Sequence, residues 1–366
     1  MKVVQIIYSG LGGHGSVAFS LISADKTGSW CPILGFFGVE PPTESYVHFC
    51  REKAIPFAYF GVSGGKSWKG WPRIFRWLRA SNPDAVILHS VTALLPCLIF
   101  ARLRRARLVV VEHQDNALKN RSEWLFSRLS MLFADRVVVL TSGYDQELKE
   151  RIGLFYRASK VRLIPNGVDI SRFKPQSGKP DKLMAVHLGM AARFTRIKRH
   201  DVLIEMLEEL RRKQPEINWR LSMPGAGDTW CELNARVNQE GLNSVIALPG
   251  HLNEDQLIDW YQSLDVYVHA SEGETLSTAI LQAMATALPI VASDVPGIRS
   301  LISGQTKCGL LVGGQQPGGF AEAVIQLAKD AGLRSSFGEA GRQLAEKDYS
   351  QNHMFALYNN LLVNNA

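Results

Sequence analysis

Short apolar segments alternate with longer amphipathic stretches along the whole chain. In the first half, five segments are apolar and either rich in β-branched residues or bounded by polar residues or glycine, which predicts buried strands. They are Val3–Tyr8, Pro32–Phe37, Ala85–Leu88, Leu108–Val111 and Arg136–Leu140. The intervening stretches, such as Arg73–Ala80 and Glu123–Phe133, have the spacing of amphipathic helices. This alternation favours a parallel sheet that is covered by helices on both faces.

The same alternation begins again after Phe173. The predicted strands of the second half are Leu183–Leu188, Trp219–Met223, Val245–Leu248, Val266–His269 and Ile290–Ala292. The predicted helices are His200–Lys213, Thr229–Glu240, Glu254–Ser263, Thr278–Ala287, Gly319–Ala331 and, at the end of the chain, Tyr349–Leu362.

Two similar halves in 366 residues indicate two domains, each large enough to bury its own core. The stretch Lys174–Lys182 contains Pro175, Gly178 and Pro180 and is the predicted linker. We therefore expect an α/β protein with two Rossmann-like domains, residues 1–173 and 174–346, that face each other across a cleft. Ligands of such sheets bind beyond the carboxyl ends of the strands, so this cleft is the predicted site.

The net charge of +7 is concentrated in one part of the chain. Between Gly61 and Val110 there are nine basic residues and one acidic residue, so the remainder is close to neutral. The segments Lys66–Arg79, which also carries three tryptophans, and Arg102–Arg107 hold most of these cations. An anionic membrane surface is one candidate partner, and a helix with a solvated basic side explains the pattern equally well. No nucleic-acid recognition module accompanies the patch, so no nucleic acid is expected.

The cysteines and the N-terminal sequence predict a cytoplasmic protein. Five widely spaced cysteines without a C-x-x-C motif indicate buried free thiols rather than disulfides or a zinc site. The first residues lack a signal-peptide pattern, and the longest apolar runs are too short to cross a bilayer. Membrane binding through the basic segments would then be peripheral, on the inner face of the plasma membrane.

A glycine-rich turn follows the first predicted strand. Gly10, Gly12 and Gly15 match G-x-G-x-x-G, and Glu40 follows the second strand, so an NAD-dependent oxidoreductase is one hypothesis. A single match of this kind is weak evidence, because such glycines also let a strand turn into a helix whose amides bind any anion.

Two more specific signals occur in the second half. Arg193 and Lys198 lie five residues apart between a predicted strand and helix, where the two cations can converge on a diphosphate or simply be solvated. Glu274 precedes a helix that begins near Ser277. Its carboxylate can cap that helix or bind sugar hydroxyls, and the first amides of the helix can bind an anion.

The order and spacing of these residues resemble the retaining family-4 glycosyltransferases of the GT-B fold. The shared pattern comprises Arg193, Lys198, Ser271, Glu274 and the stretch QAMATALPIVASD that begins at Gln282. Further pieces in the family order are IPNGVD from Ile164, PGAG from Pro224 and LDVYV from Leu264. The resemblance covers nearly the whole chain and is specific for the family, but not for the sugar.

The resemblance implies a role for each matching residue. Arg193 and Lys198 would neutralise the leaving diphosphate of the donor, and Glu274 would contact the donor sugar. The backbone of Gly12 and Gly13 would approach the donor phosphate and the acceptor. The other donor-binding positions would be Thr275, Leu276, Ser277, Thr278 and Gln282, the first four through their amides and the last at the ribose. The final helix, 347–366, would cross back to the first domain.

His113 is a further residue to which the resemblance gives a role, and two positions differ from the family pattern. His113 follows the strand Leu108–Val111 and, by the resemblance, would face the donor sugar; a core histidine at a strand end is the alternative. Thr275 stands where the family usually has glycine, and Gln282 stands where it has a second glutamate. Glutamine still donates and accepts hydrogen bonds, so ribose binding can persist with one charge fewer.

The resemblance also implies substrates. We expect a UDP-sugar rather than a GDP-sugar donor, and a glycan or lipid-linked acceptor in surface polysaccharide assembly of the lipopolysaccharide O-antigen or capsule type. No D-x-D triplet occurs in the sequence, so no metal ion and no other cofactor is expected. A non-catalytic sugar-nucleotide-binding protein remains the alternative because of Gln282.

Overall fold

The computed structural model of the chain describes residues 1–10, 13–64, 67–114, 116, 119–176, 185–303 and 306–363. The chain divides into two compact units, Met1–Gly167 together with Gln351–Ala366, and Val168–Ser350. Each unit is built on one parallel sheet with helices between its strands. The expected α/β class with two parallel-sheet domains is confirmed.

Unit 1 contains a seven-stranded sheet. Its strands are β1 (Lys2–Tyr8), β2 (Cys31–Gly38), β3 (Phe57–Gly61), β4 (Ala85–Leu88), β5 (Arg107–Glu112), β6 (Arg136–Val139) and β7 (Val161–Leu163). Its helices are α1 (Gly13–Ala24), α2 (Glu44–Glu52), α3 (Trp71–Ser81), α4 (Leu94–Arg104), α5 (Arg121–Phe133), α6 (Ser142–Ile152) and the C-terminal α14 (Gln351–Val363). The strand order is β3-β2-β1-β4-β5-β6-β7, so the direction of winding reverses between β1 and β4.

Unit 2 contains a six-stranded sheet. Its strands are β8 (Ala185–Gly189), β9 (Asn218–Ser222), β10 (Ile246–Ala247), β11 (Val266–His269), β12 (Ile290–Ser293) and β13 (Gly309–Val312). Its helices are α7 (His200–Lys213), α8 (Trp230–Gln239), α9 (Glu254–Ser263), α10 (Thr278–Ala285), α11 (Pro296–Ile302), α12 (Pro317–Lys329) and α13 (Ala331–Asp348). The order β10-β9-β8-β11-β12-β13 reverses between β8 and β11, which opens a crevice at their carboxyl ends.

The central strands are buried on both faces, which explains why they read as continuous apolar runs in the sequence. Val86 and Leu88 of β4, for example, are fully buried and belong to one cluster with Ile74 and Leu78 of α3. In unit 2, Leu188 of β8 is part of a cluster that also includes residues of α7 and α12. These packed sheets hold the loops at their carboxyl ends in fixed positions.

The boundaries between the units differ from the predicted 173/174 and 346/347. Residues 168–173 pack with unit 2, because Arg342 of α13 donates to the carbonyl oxygens of Ile170 and Phe173. The amide of Val168 donates to the carbonyl of Tyr349 at 2.8 Å, which also keeps Tyr349 in unit 2. The units therefore divide at 167/168 and at 350/351, and α14 belongs to unit 1.

Several elements differ from the sequence prediction. The strands β3, β7 and β13 were not predicted, and the helix α10 ends at Ala285 because Ala287 has a left-handed backbone with φ 56°. The segment predicted as a helix over Gly319–Ala331 is divided by Asp330, whose side chain accepts from the amide of Leu333 and begins α13. The final helix starts at Gln351 rather than Tyr349, since Ser350 pairs with Val168. The linker residues 177–184 lie outside the described part of the chain.

The basic segment 66–79 contains a helix that covers the sheet. Ile74 and Leu78 are buried, and Trp77 packs edge-to-face on Phe60 of β3 with ring centroids 5.2 Å apart. The indole of Trp71 donates to the carbonyl of Thr92 at 3.0 Å. Of the three tryptophans, Trp68 alone is largely exposed, at 58%. The apolar side of α3 therefore packs against the rest of unit 1. Lys66 lies outside the described residues.

All five cysteines are unpaired, as predicted. Cys50, Cys97 and Cys308 are buried, and burial raises the pKa of each thiol. Cys31 and Cys231 are exposed, which differs from the expectation that the thiols are buried. Among the described residues, no helix combines the length and apolarity that a membrane crossing requires.

Candidate functional site

The loops that follow β8 and β11 lie together at the point where the strand order of unit 2 reverses. The amide of Glu272 donates to the carbonyl of Ile197 at 2.9 Å, so the two loops are joined through their backbones. The guanidinium of Arg199 bridges them a second time, with 2.9 Å from Nη1 to Glu272 Oε1 and a further pair with Asp201. This is the place where parallel sheets bind ligands.

Two of the predicted site residues, Lys198 and Glu274, meet here. Lys198 Nζ donates to Glu274 Oε1, and the two side chains are 20% and 12% exposed. Burial alone would raise the pKa of Glu274, but Lys198 and a hydrogen bond from His269 outweigh it and lower that pKa to about 2. The carboxylate therefore remains ionised throughout the neutral and mildly acidic range.

Arg193 lies exposed on the loop after β8, whereas Lys198, five residues later, is partly buried. Its loop is held by the loop after β9: the amide of Phe194 donates to the carbonyl of Ala226 at 3.0 Å. Gly225 and Gly227 allow this contact, because a Cβ at either position would lie 1.9 Å from the carbonyl oxygen of Ala192 or 2.3 Å from that of Phe194. The glycines of the PGAG segment thus fix the backbone that carries Arg193.

The start of α10 holds the other donor positions of the motif. Ser277 caps the helix, accepting from the amide of Ile280, and Thr275 and Leu276 are buried while Thr278 is half-buried. Gln282 lies one turn further on and accepts from the hydroxyl of Tyr261 at 3.2 Å through Oε1. The side chain of Gln282 is therefore anchored within unit 2.

His113 lies in unit 1 and contacts a second histidine. It follows β5, and its Nε2 is 2.8 Å from Nδ1 of His89, which follows β4. The other nitrogen of His89 is 3.0 Å from Oε1 of Gln5, a fully buried residue of β1. The two histidines follow adjacent strands and border a cavity of about 250 Å³, whereas Gln5 lies in the middle of β1.

Two residues that line this cavity, Glu112 and Lys119, form a buried ion pair. Lys119 Nζ is 2.7 Å from Glu112 Oε2, both side chains are 1% exposed, and Lys119 also donates to Ser127 at 3.0 Å. The hydroxyl of Tyr144 donates to the same carboxylate oxygen at 3.2 Å. Glu112 is the last residue of β5, so the pair fixes the strand end from which His113 extends.

Close packing explains why glycine occurs at two positions of the dinucleotide-like motif, Gly10 and Gly15. A Cβ at Gly15 would lie 2.2 Å from the hydroxyl of Tyr46, and one at Gly10 would lie 2.1 Å from Glu40 Oε2. Gly13 is the first residue of α1, and Gly12 lies outside the described residues. Packing therefore explains glycine at Gly10 and Gly15, two of the three matching positions.

Sequence reasoning missed His269, Tyr267 and His89. His269 ends a predicted strand and His89 directly follows one, and a polar side chain there is the signal that could have indicated them. Tyr267 lies within the predicted strand and gives no such signal. His269 ends β11 and contacts Glu274, whereas His89 follows β4 and contacts His113. The structure brings Lys198, Glu274 and His269 together in unit 2 and places His113 in unit 1.

Two family profiles together match most of the chain. The glycosyltransferase family-4 profile matches residues 35–172, and the glycosyl transferases group 1 profile matches residues 185–330. The chain therefore belongs to the family-4 glycosyltransferases, which are enzymes of the GT-B fold.

Several curated glycosyltransferases share sequence with part of the chain. It is 30% identical over 216 residues to the D-inositol 3-phosphate glycosyltransferase of Pseudarthrobacter chlorophenolicus, covering 57% of this chain and 50% of the relative. For the same-named protein of Streptomyces avermitilis, the identity is 25% over 289 residues, with 74% and 58% covered. The chain spans about half the length of the curated relatives it matches.

Two solved structures have the same fold over almost the full chain. HepE of Anabaena, in complex with UDP and glucose, has a TM-score of 0.80 at 18% identity, with 99% of each chain covered. A glycosyltransferase of Rickettsia africae has a TM-score of 0.79 at 19% identity, with 100% of this chain and 99% of that chain covered.

Proposed function

We propose that the protein transfers a sugar from a nucleotide-diphosphate sugar to a glycan or lipid-linked glycan acceptor, with retention of the anomeric configuration. The observation that carries this proposal is the Lys198–Glu274 pair at the adjacent carboxyl ends of β8 and β11. The two residues occupy the lysine and first-glutamate positions of the family pattern. Unit 2 is accordingly the proposed donor domain.

The proposed chemistry centres on the charge of the leaving diphosphate. Negative charge grows on this group as the bond to the sugar breaks, and cations fixed nearby stabilise the transition state more than the ground state. Arg193 and Lys198 are the proposed cations, so a metal ion is not required, and the leaving phosphate would assist deprotonation of the acceptor. No group of His, Cys, Asp or Glu that could hold a metal was found in the described part of the chain.

Donor binding requires a rearrangement in this account. Lys198 is paired with Glu274, and the diphosphate would compete for Lys198. Glu274, which His269 also holds through Oε1, would then present its carboxylate to the donor sugar. Thr275–Thr278 would add backbone contacts and Gln282 would contact the ribose, as the resemblance implies.

UDP is the proposed nucleotide. Support comes from structures of the same fold, including HepE with UDP-glucose and the pneumococcal GtfA with UDP and GlcNAc.

The proposed acceptor presents sugar hydroxyls to the cavity of unit 1. Its lining includes Ser63, Ser90, Thr92 and His113, which can exchange hydrogen bonds with hydroxyl groups. Lys119, which also lines the cavity, is already neutralised by Glu112. An inositol phosphate acceptor, as in the names of the curated relatives, is the second candidate.

A role in lipopolysaccharide or capsule assembly would place the acceptor at a membrane, and peripheral binding remains a proposal. The structure favours α4 over α3 as the contact, because Ile99 and Leu103 are exposed next to Arg102. Sedimentation with liposomes that contain anionic lipid tests this: Leu103→Ser should reduce binding, and equal sedimentation with neutral and anionic liposomes would count against it.

A donor screen tests the proposed function. UDP, GDP, ADP, their sugars and NAD are compared by thermal shift, and a ligand present at 100 times its Kd should stabilise the fold by about 2.7 kcal/mol. We expect stabilisation by UDP and a UDP-sugar, followed by sugar transfer or slow donor hydrolysis. Binding without either reaction would identify a non-catalytic sugar-nucleotide-binding protein, and stabilisation by NAD alone would favour the oxidoreductase.

A further inference from the structure

A buried chain of hydrogen bonds runs through unit 2 to the carboxylate of Glu274. The imidazole of His269 is 1% exposed, with Nε2 2.7 Å from Glu274 Oε1 and Nδ1 3.2 Å from the hydroxyl of Tyr267. Tyr267 is fully buried and is hydrogen-bonded to Tyr261, whose hydroxyl lies 2.9 Å from the carbonyl oxygen of Ala279 and 3.2 Å from Oε1 of Gln282. The chain thus connects Glu274, the first-glutamate position of the family motif, to three residues to which the motif gives no role: His269, Tyr267 and Tyr261.

The direction of each bond near Glu274 follows from the groups involved. A carboxylate oxygen can only accept, so Nε2 of His269 carries a proton. Burial lowers the pKa of His269, the bond to Glu274 opposes this, and Lys198 lowers the pKa further, so the ring is neutral at pH 7. Nδ1 is then unprotonated and accepts from the hydroxyl of Tyr267. Both ring nitrogens are engaged, so turning the ring over would break both bonds.

His269 and Lys198 hold the same oxygen of Glu274, but they differ in what a donor does to them. The diphosphate competes for the ammonium group of Lys198, whereas His269 is enclosed in unit 2 and bonded at both nitrogens. After Lys198 turns to the diphosphate, His269 remains to fix the carboxylate. The second oxygen of Glu274 is then directed away from His269.

We propose that His269, held by Tyr267, is a positioning residue that orients Glu274 toward the donor sugar. The inference rests on the proposed function, since Glu274 is assigned to the sugar there. His269 touches neither substrate in this account and acts through Glu274 alone.

A purely structural histidine would behave differently. UDP lacks the sugar that Glu274 contacts, so a defect in positioning weakens binding of a UDP-sugar and spares UDP. A loss of packing affects both ligands alike, because both depend on the same fold. The ratio of the two dissociation constants therefore separates the two roles.

Three variants test the proposal by calorimetry with UDP and UDP-glucose, together with kcat and KM for donor turnover. In His269→Leu, UDP-glucose binding should weaken by about 10- to 100-fold relative to UDP, as expected for loss of a hydrogen bond to a charged group. His269→Gln keeps an N–H group and should recover most of this loss. Tyr267→Phe removes only a hydroxyl and should change the ratio in the same direction by less. An unchanged ratio in His269→Leu and Tyr267→Phe would overturn the proposal.

A second measurement tests the contact between His269 and Glu274 in the absence of a donor. Long-range ¹H–¹⁵N spectra of the wild-type protein should show His269 as the neutral ring protonated at Nε2 at pH 7, and Glu274→Ala should alter its ¹⁵N shifts. A ring protonated at Nδ1 would overturn the proposal. If wild-type protein binds no UDP-sugar but His269 has the expected tautomer, the proposed function fails while the contact to Glu274 stands.

Discussion

The backbone of Glu274 can be displaced by one methyl group placed in α11. Gly297 is the second residue of that helix, and a Cβ built on it would lie 2.0 Å from the carbonyl oxygen of Glu274 and 2.6 Å from that of Thr275. The Glu274 contact must open by about 1 Å to reach even 3.0 Å, a separation below which such contacts are essentially absent from proteins. Both partners are backbone atoms, so no side-chain rotation relieves the collision.

The magnitude of the Gly297→Ala effect follows from this geometry. Overpacking of this kind costs about 1–3 kcal/mol of folding free energy. A displacement of about 1 Å in a residue that orients the substrate lowers turnover by about 100-fold. We therefore expect Gly297→Ala to remain folded, with a lower melting temperature and a much larger loss in kcat for donor turnover than in UDP affinity.

Gly318→Ala is the matched control. Gly318 is also the second residue of a helix and also follows proline, but a Cβ there meets nothing within 4 Å. Thermal unfolding and initial-rate kinetics of the two variants should therefore differ clearly. If Gly297→Ala is as stable and as active as Gly318→Ala, the reasoning from Glu274 and its backbone is refuted.

Two predictions concern stability. Burial lowers the pKa of His200 to about 3, and its ring is stacked on Phe194 with centroids 4.0 Å apart. Because the folded protein keeps this ring neutral, its contribution to the free energy of unfolding is complete above the unfolded pKa of about 6.5. That contribution is lost as the pH falls toward 3. Between pH 6.5 and 3, the free energy of unfolding of the wild-type protein, measured in urea, should fall by about 1.4 kcal/mol per pH unit more than that of His200→Phe. Parallel pH profiles of the two proteins would contradict this. Lys119→Met leaves the buried carboxylate of Glu112 without its cation and should lower the free energy of unfolding by about 3–5 kcal/mol. In denaturant unfolding, the loss should be smaller when Glu112→Leu is combined with it. Losses that simply add in the double variant would argue against the pairing.

The central strands of both sheets could be predicted because burial on both faces leaves an apolar run in the sequence. The strands that escaped prediction, β3, β7 and β13, all lie at sheet edges, where one neighbour is missing. Phe57 and Tyr59 of β3 and Leu163 of β7 are more than a third exposed. Edge strands of this kind lack the continuous apolar run from which the central strands were predicted.

The candidate site was predictable only where a short motif carries it. Arg193, Lys198 and Glu274 have a recognisable spacing, and the structure joins Lys198 to Glu274 across 76 residues of sequence. His269 could not be paired with Glu274 in advance, because the turn of the loop between them brings the two side chains together. The contact of His89 with His113 likewise depends on strand order, since β4 and β5 are neighbours in the sheet.

The donor site itself is tested most directly by turnover of a UDP-sugar in Lys198→Ala. Lys213→Ala is the control, because Lys213 is a similarly exposed lysine of unit 2 that is paired with Glu322 at 3.2 Å. Removing one group that stabilises the leaving-group charge should lower kcat by about 100- to 1000-fold. We expect this loss in folded Lys198→Ala and wild-type turnover in Lys213→Ala. Near-normal turnover in Lys198→Ala would contradict it.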